Sequence, residues 1–126
     1  MADPELSRRT HAAHAIALAC GDLAMRHVAD LAGLGVTMKG DQDWLTIADG
    51  AVETLFRKLI AEAFPEDSVM GEEQGGGESV PDRLWIIDPI DGTANFARGD
   101  RNWCVSIGYL HKGVPEIGVI QAPALG

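Results

Sequence analysis

Residues 85–96 read Trp-Ile-Ile-Asp-Pro-Ile-Asp-Gly-Thr-Ala-Asn-Phe, and the fold turns on how this stretch is read. The apolar run 84–87 delivers two carboxylates, Asp88 and Asp91, into a tight Pro/Gly turn. Pro89 fixes φ and removes one amide, so the turn is stiff before any ligand arrives. Gly92 lets backbone approach a ligand closely, and Thr93 sets a hydroxyl beside free amides. Sixteen residues before Asp88 stands Glu72, paired with Glu73, preceded by Gly71 and followed by a glycine-rich loop over 74–78. Carboxylates gathered in two loops suit Mg²⁺ better than zinc, because hard divalent cations prefer oxygen ligands. The ordinary alternative is an Asp-Gly turn capped by its own side chains. A second acidic pair at the end of a neighbouring strand argues against it.

Working outward, the apolar positions Ile16, Cys20, Leu23, Val28 and Leu31 recur at helical spacing among many alanines. They predict one long amphipathic helix over 6–31, stopped by Gly33 and Gly35. A second helix is expected over 47–64, with Val52, Leu55, Phe56, Leu59, Ile60 and Ala63 on one face. Thr46 and Asp49 form its expected capping box, and Pro65 closes its far end. Short strands are expected at 68–70 and 84–88, and longer Val/Ile-rich strands at 103–110 and 115–121. The residues 111–114 between the last two, with Lys112-Gly113, read as a hairpin turn. Two helices followed by a run of strands predict an α+β fold, the helices packed on a mostly antiparallel sheet. The ending at 122–126 offers no helix to cover the last strands and reads as a cut within a larger fold.

The 126 residues are 46% hydrophobic and 23% charged, which describes a globular chain with one modest core. A net charge of −9 argues against a nucleic-acid partner, which needs a basic footprint. It does not disfavour a small phosphorylated ligand, because bound Mg²⁺ reverses the local sign of the field. Cys20 and Cys104 lie far apart without CxxC spacing, so both are expected reduced and buried in a cytoplasmic protein. No apolar segment over 1–9 resembles a secretory leader. The stretch 12–34 is broken by His14, Asp22, Arg26, His27 and Asp30, so no membrane partner is expected. His11, His14, His27 and His111 share no ligand spacing.

Two other loop chemistries fail on spacing. A calcium-binding EF-hand loop needs oxygen ligands at its third and fifth positions and glycine at its sixth. Counted from Asp88, Ile90 is third and Thr93 sixth. Haloacid-dehalogenase phosphatases place the nucleophilic aspartate two residues before the second, whereas here Asp88 precedes Asp91 by three. The pattern instead resembles the inositol monophosphatase family of Mg²⁺-dependent phosphatases. That family carries Gly-Glu-Glu in one loop, matched by Gly71-Glu72-Glu73, and the twelve-residue motif matched by Trp85 through Phe96. Lys39 with Leu45-Thr46-Ile47-Ala48-Asp49, and the strand-forming pieces between Val105 and Val119, are similar to further family segments.

The resemblance implies roles at matching positions. Glu72 would ligate a first metal and orient water, and Asp88 would bridge two metals. The Ile90 carbonyl would complete the first site, and Asp91 would serve the second. Thr93 with Asp49 would position the attacking water. The amides of Gly92 and Thr93, with Asp91, would face the substrate phosphate, and Glu73 would support its loop. The cofactor implied is two or more Mg²⁺ ions, the full-length form would be a homodimer, and the architecture would be part of a layered α/β sugar-phosphatase fold. On this reading residues 1–126 are an N-terminal metal-binding domain, and a C-terminal domain lies outside the chain. Family members also use a Trp-Asp motif for a further metal ligand; none of Trp44, Trp85 or Trp103 precedes an aspartate. The chain alone is therefore expected to bind Mg²⁺ weakly and turn over slowly. The implied activity is hydrolysis of a small phosphorylated alcohol, inositol monophosphate first, with histidinol phosphate, fructose bisphosphate or phosphoadenosine phosphate as alternatives. A non-catalytic metal- or phosphate-binding module is the rival from another class.

Overall fold

The structure is a computed structural model. It describes the backbone of residues 3–34, 38–71, 81–97 and 100–125, and the side chains of 3–29, 47–71, 81–96 and 100–125. Helix α1 (Pro4–Leu34) turns Ala13, Ile16, Ala17, Cys20, Gly21 and Ala24 inward, a stripe at three- and four-residue steps. The stripe is made mostly of small residues, which lets the helix ride close to the sheet. A Cβ at Gly21 would stand 2.9 Å from Gln121 Cγ. Helix α2 (Met38–Ala63) buries Ala48, Val52, Phe56 and Ile60, one residue per turn.

Helix α2 differs from the sequence reading at both ends. It starts at Met38, so Thr46 and Asp49 lie inside the helix and form no capping box, and Lys39 belongs to the helix and not to a loop. Gly40 is the one breaker in the added stretch. A single glycine lowers helix stability by about 1 kcal/mol, which propagation from a long helix overcomes. At the other end Ala63 is exposed, and Phe64, just past the helix, enters the core instead.

Four strands, β1 (Ser68–Gly71), β2 (Arg83–Asp91), β3 (Cys104–His111) and β4 (Val114–Gln121), form one sheet in chain order. β1 runs parallel to β2, and the other two pairings are antiparallel. The β3–β4 turn is tighter than expected. Lys112 (φ 53°) and Gly113 (φ 80°) make a two-residue connection with both residues left-handed, which matches the twist of the paired strands.

One face of the sheet carries Trp85, Ile87, Val105, Ile107 and Tyr109 into a common core with both helices. Trp85 is its centre: 4.9 Å from the Tyr109 ring, stacked 6.1 Å from Phe64 and edge-on to Phe56 at 6.2 Å. The register assigns Ile86, Ser106, Gly108, Gly118 and Ile120 to the other face, turned away from α1 and α2. Ile120 there is 72% exposed.

A polar cluster that the sequence reading missed pins α1 to this core. Arg9, 5% exposed, donates from Nε and Nη2 to Asp67 at 2.7 and 2.8 Å and from Nη1 to Glu5 at 2.9 Å. Its guanidinium lies 4.4 Å above the Phe64 ring, and Trp85 Nε1 donates to Asp67 Oδ2 at 2.9 Å. Of the cysteines, Cys20 is buried but Cys104 is only half-buried, because β3 carries it on the face away from the helices. Burial pushes the Cys20 thiol up to about 12. No described helix is long and apolar enough to cross a membrane.

Candidate metal-binding active site

Asp88 and Asp91 sit in β2 itself. The strand does not end in a Pro/Gly turn after Asp88, as the sequence reading expected, but continues through Pro89 and Ile90 to Asp91. Asp88 pairs with Ser106 and Asp91 with Cys104, so three steps on β2 oppose two on β3. That is a β-bulge, and a bulge is where a strand tolerates proline's missing amide. Its geometric effect is decisive. In a regular strand residues three apart point to opposite faces, but Ser106 and Cys104 share a face, so their partners Asp88 and Asp91 do too. The pKa of the nearby Cys104 thiol is raised, first by burial and then by the charges of Asp91 and Asp88.

Beyond Asp91 the chain turns at Gly92, whose φ of 91° is left-handed. A Cβ there would also lie 2.9 Å from the Asn102 carbonyl oxygen, so only glycine fits. A short helix, α3 (Thr93–Ala97), begins at once; it was not foreseen, because one turn shows no periodicity. Asn95 Nδ2 donates to that same Asn102 carbonyl at 2.8 Å, tying α3 to the segment that enters β3. Phe96 and Trp103 are both buried and meet edge to face, centroids 5.0 Å apart. Trp103 also borders a shallow depression of about 320 Å³ that Asp91, Gly92, Asn102 and Cys104 line.

The remaining expected site residues approach this end of the sheet from other elements. Gly71 ends β1 and pairs with Ile87, directly before Asp88. Glu72 and Glu73, which follow it, lie outside the described residues. Asp49 lies on α2, its Oδ1 enclosed from solvent. One turn further along α2, Glu53 touches Gly71. Since α2 runs antiparallel to β1, Asp49 stands about 6 Å further toward the end where Asp88 and Asp91 emerge. Thr93 is exposed at the first position of α3, Ile90 is buried, and α3 packs on α2. The structure thus gathers Asp88, Asp91, Gly92 and Thr93 at one end of the sheet, with Asp49 reaching that end from the helical layer. Among the described residues no three acidic, histidine or cysteine side chains form a metal-holding group by themselves. Two aspartates on one face offer hard oxygen donors, which suits Mg²⁺ and not a soft metal.

Residues 5–126 match the model of the inositol monophosphatase family. The chain belongs to that family. Among its relatives, a histidinol-phosphatase of Mycobacterium tuberculosis is 47% identical over 92 residues, covering 73% of this chain and 35% of that protein. A fructose-1,6-bisphosphatase/inositol-1-monophosphatase of Thermotoga maritima is 42% identical over 86 residues, covering 68% and 33%. The structure of inositol monophosphatase from Anabaena (Nostoc) sp. PCC 7120 superposes with a TM-score of 0.74 at 34% identity, over 96% of this chain and 40% of that one. The chain spans well under half the length of these family members. Over that span the α+β arrangement of helices on a mostly antiparallel sheet is the family's fold.

Proposed function

We propose that the chain supplies the Mg²⁺-binding N-terminal part of a phosphomonoesterase that hydrolyses a small phosphorylated alcohol. The observation carrying this reading is the β2 bulge, which sets Asp88 and Asp91 on one face beside the exit of β1 toward Glu72. Asp88, Asp91, the Ile90 carbonyl and Glu72 would hold two or more Mg²⁺ ions. When bound, such ions lower the pKa of a coordinated water and neutralise charge on the phosphate and leaving oxygen. The protein's own part is positional. Thr93 and Asp49 would orient the attacking water, and the amides of Gly92 and Thr93, with Asp91, would face the phosphate. Gly92 serves this because no side chain stands between its backbone and the ligand.

Inositol monophosphate is the first substrate under this reading. The relationship to the M. tuberculosis protein, whose name is histidinol-phosphatase, favours histidinol phosphate as the second. The test is phosphate release from inositol monophosphate, histidinol phosphate, fructose bisphosphate and phosphoadenosine phosphate, with and without Mg²⁺, for the chain and its D88N variant. Slow, Mg²⁺-dependent release that D88N abolishes supports the reading. Release indifferent to both Mg²⁺ and D88N overturns it, and Mg²⁺ binding without any release favours a non-catalytic metal-binding module.

A further inference from the structure

Leu125 is 53% exposed, and an exposed leucine by itself needs no explanation. Its placement does. Asp91 pairs with Cys104 across β2 and β3, and Gln121 pairs with Val105 across β3 and β4, so Ala122, one step on, comes level with Cys104. Asp91, Cys104 and Ala122 therefore form one row across the sheet, on the face away from the helices. A 3₁₀ turn, Pro123–Leu125, closes that row, and the depression beside Asp91 runs along it with Leu125 among its walls. The turn is held from both sides. Arg101 Nε donates to the Ala124 carbonyl at 3.0 Å, and α1 backs the turn at Gly21, where a Cβ would stand 3.5 Å from Pro123 Cγ.

We infer that this depression receives the alcohol part of the phosphate ester, and that Leu125 is a specificity-determining residue meeting an apolar face of that alcohol. The inference rests on the phosphatase reading above, since Asp91 and Gly92 belong both to the depression and to the expected phosphate site. A volume of about 320 Å³ is at the low end for ligand pockets, which run to about 300–1,000 Å³. That suits a compact alcohol and not a nucleoside. None of the described lining residues carries a positive charge. Asn102 Nδ2 donates to Asp100 Oδ1 at 2.9 Å, so the acceptor oxygen is what that amide has left to offer a ligand. Acceptors beside apolar walls fit an alcohol rich in hydroxyl or ammonium hydrogens and disfavour one that carries a second phosphate.

The test compares inositol monophosphate with inorganic phosphate, each titrated calorimetrically into the full chain with Mg²⁺, because only the first carries an alcohol. Trimming an apolar pocket wall costs about tenfold at the low end, so Leu125→Ala should weaken inositol monophosphate about tenfold more than inorganic phosphate. The ratio is taken within each variant, so a loss of folded protein cancels. Leu125→Met, which keeps an apolar wall, should restore the ratio. Fructose bisphosphate should bind the wild type no more tightly than inositol monophosphate, and Leu125→Lys, which sets a cation at the rim, should invert that order. An unchanged ratio in Leu125→Ala, or a wild type that prefers fructose bisphosphate, overturns the inference. Asp88→Asn separates the two readings. If it abolishes binding of both ligands while Leu125→Ala leaves the ratio unchanged, only the alcohol subsite falls. If Asp88→Asn changes neither, or the wild type binds neither ligand, the phosphate site falls and the alcohol subsite with it.

Discussion

Arg9 and Asp67, 58 residues apart in sequence, meet in a two-pronged ion pair at 2.7 and 2.8 Å, and the Asp67 side chain is wholly enclosed. This pair fastens the first turns of α1 to the turn that feeds β1. Removing only one partner leaves a buried charge, so Arg9→Ala is expected to destabilise the fold by about 3–5 kcal/mol in urea unfolding. Arg9→Ala combined with Asp67→Asn should lose less than the sum of the single changes, because the stranded charge is gone.

Glu5 adds a pH-dependent strand to the same cluster. Hydrogen bonds from Arg9 and then Arg8 hold its carboxyl below the ordinary value of 4.5. With the folded pKa depressed, the contribution is complete above about 4.5 and disappears as pH falls through the lower folded value. Melting curves of the wild type and Glu5→Gln should differ at pH 6 and converge as acid protonates Glu5. A gap that persists unchanged into strong acid would contradict the assignment.

Three glycines are expected to respond differently to alanine. Gly92→Ala combines a left-handed φ with a 2.9 Å approach to the Asn102 carbonyl and should destabilise the chain by about 1–3 kcal/mol. Gly118 has open space and no positive φ, so its substitution should be nearly silent. Gly50 sits exposed within α2 with nothing close by, and Gly50→Ala should stabilise by about 0.5–1 kcal/mol. Parallel thermal melts rank all three.

Mg²⁺ should stabilise the folded chain in proportion to its binding, by about 2.7 kcal/mol at a hundredfold excess over Kd. Asp88→Asn and Asp91→Asn are each expected to abolish that increment while leaving the metal-free melting temperature equal or higher, since each relieves repulsion between carboxylates on one face. A Mg²⁺-induced shift that survives both substitutions would remove the metal from this site.

Much of the layout was legible because apolar periodicity is a local property. Helix α1 and strands β3 and β4 announce themselves through residues such as Ile16, Cys20, Val105 and Ile107, and Lys112-Gly113 marks the hairpin. The start of α2 was hidden because Thr46 and Asp49 have the composition of a cap while lying within a helix that continues through Gly40. Pro89 misled in a similar way, suggesting a turn where a bulge absorbs it. The Arg9–Asp67 pair and the Glu53–Gly71 contact were invisible for another reason. They join distant segments, and nothing in the local spelling of either partner records the other. Among the candidate site residues, Asp88, Asp91, Gly92 and Thr93 could be picked out by spacing, yet the shared face of the two aspartates became evident only from strand register.

The one-residue excess in β2 lets two carboxylates three residues apart serve one face, with an additional backbone unit between them. Exchanging Pro89 or Ile90 for other residues keeps the count between the two aspartates and hence the side of the sheet each occupies. Deleting either would bring β2 back into step with β3 and leave Asp91 opposite Cys104 on the same face as Asp88, but would remove the bulge and one of the two backbone units that now separate the carboxylates. Over evolutionary drift the letters between Asp88 and Asp91 are therefore freer to change than their number, and length in this stretch is the quantity an engineer should leave alone.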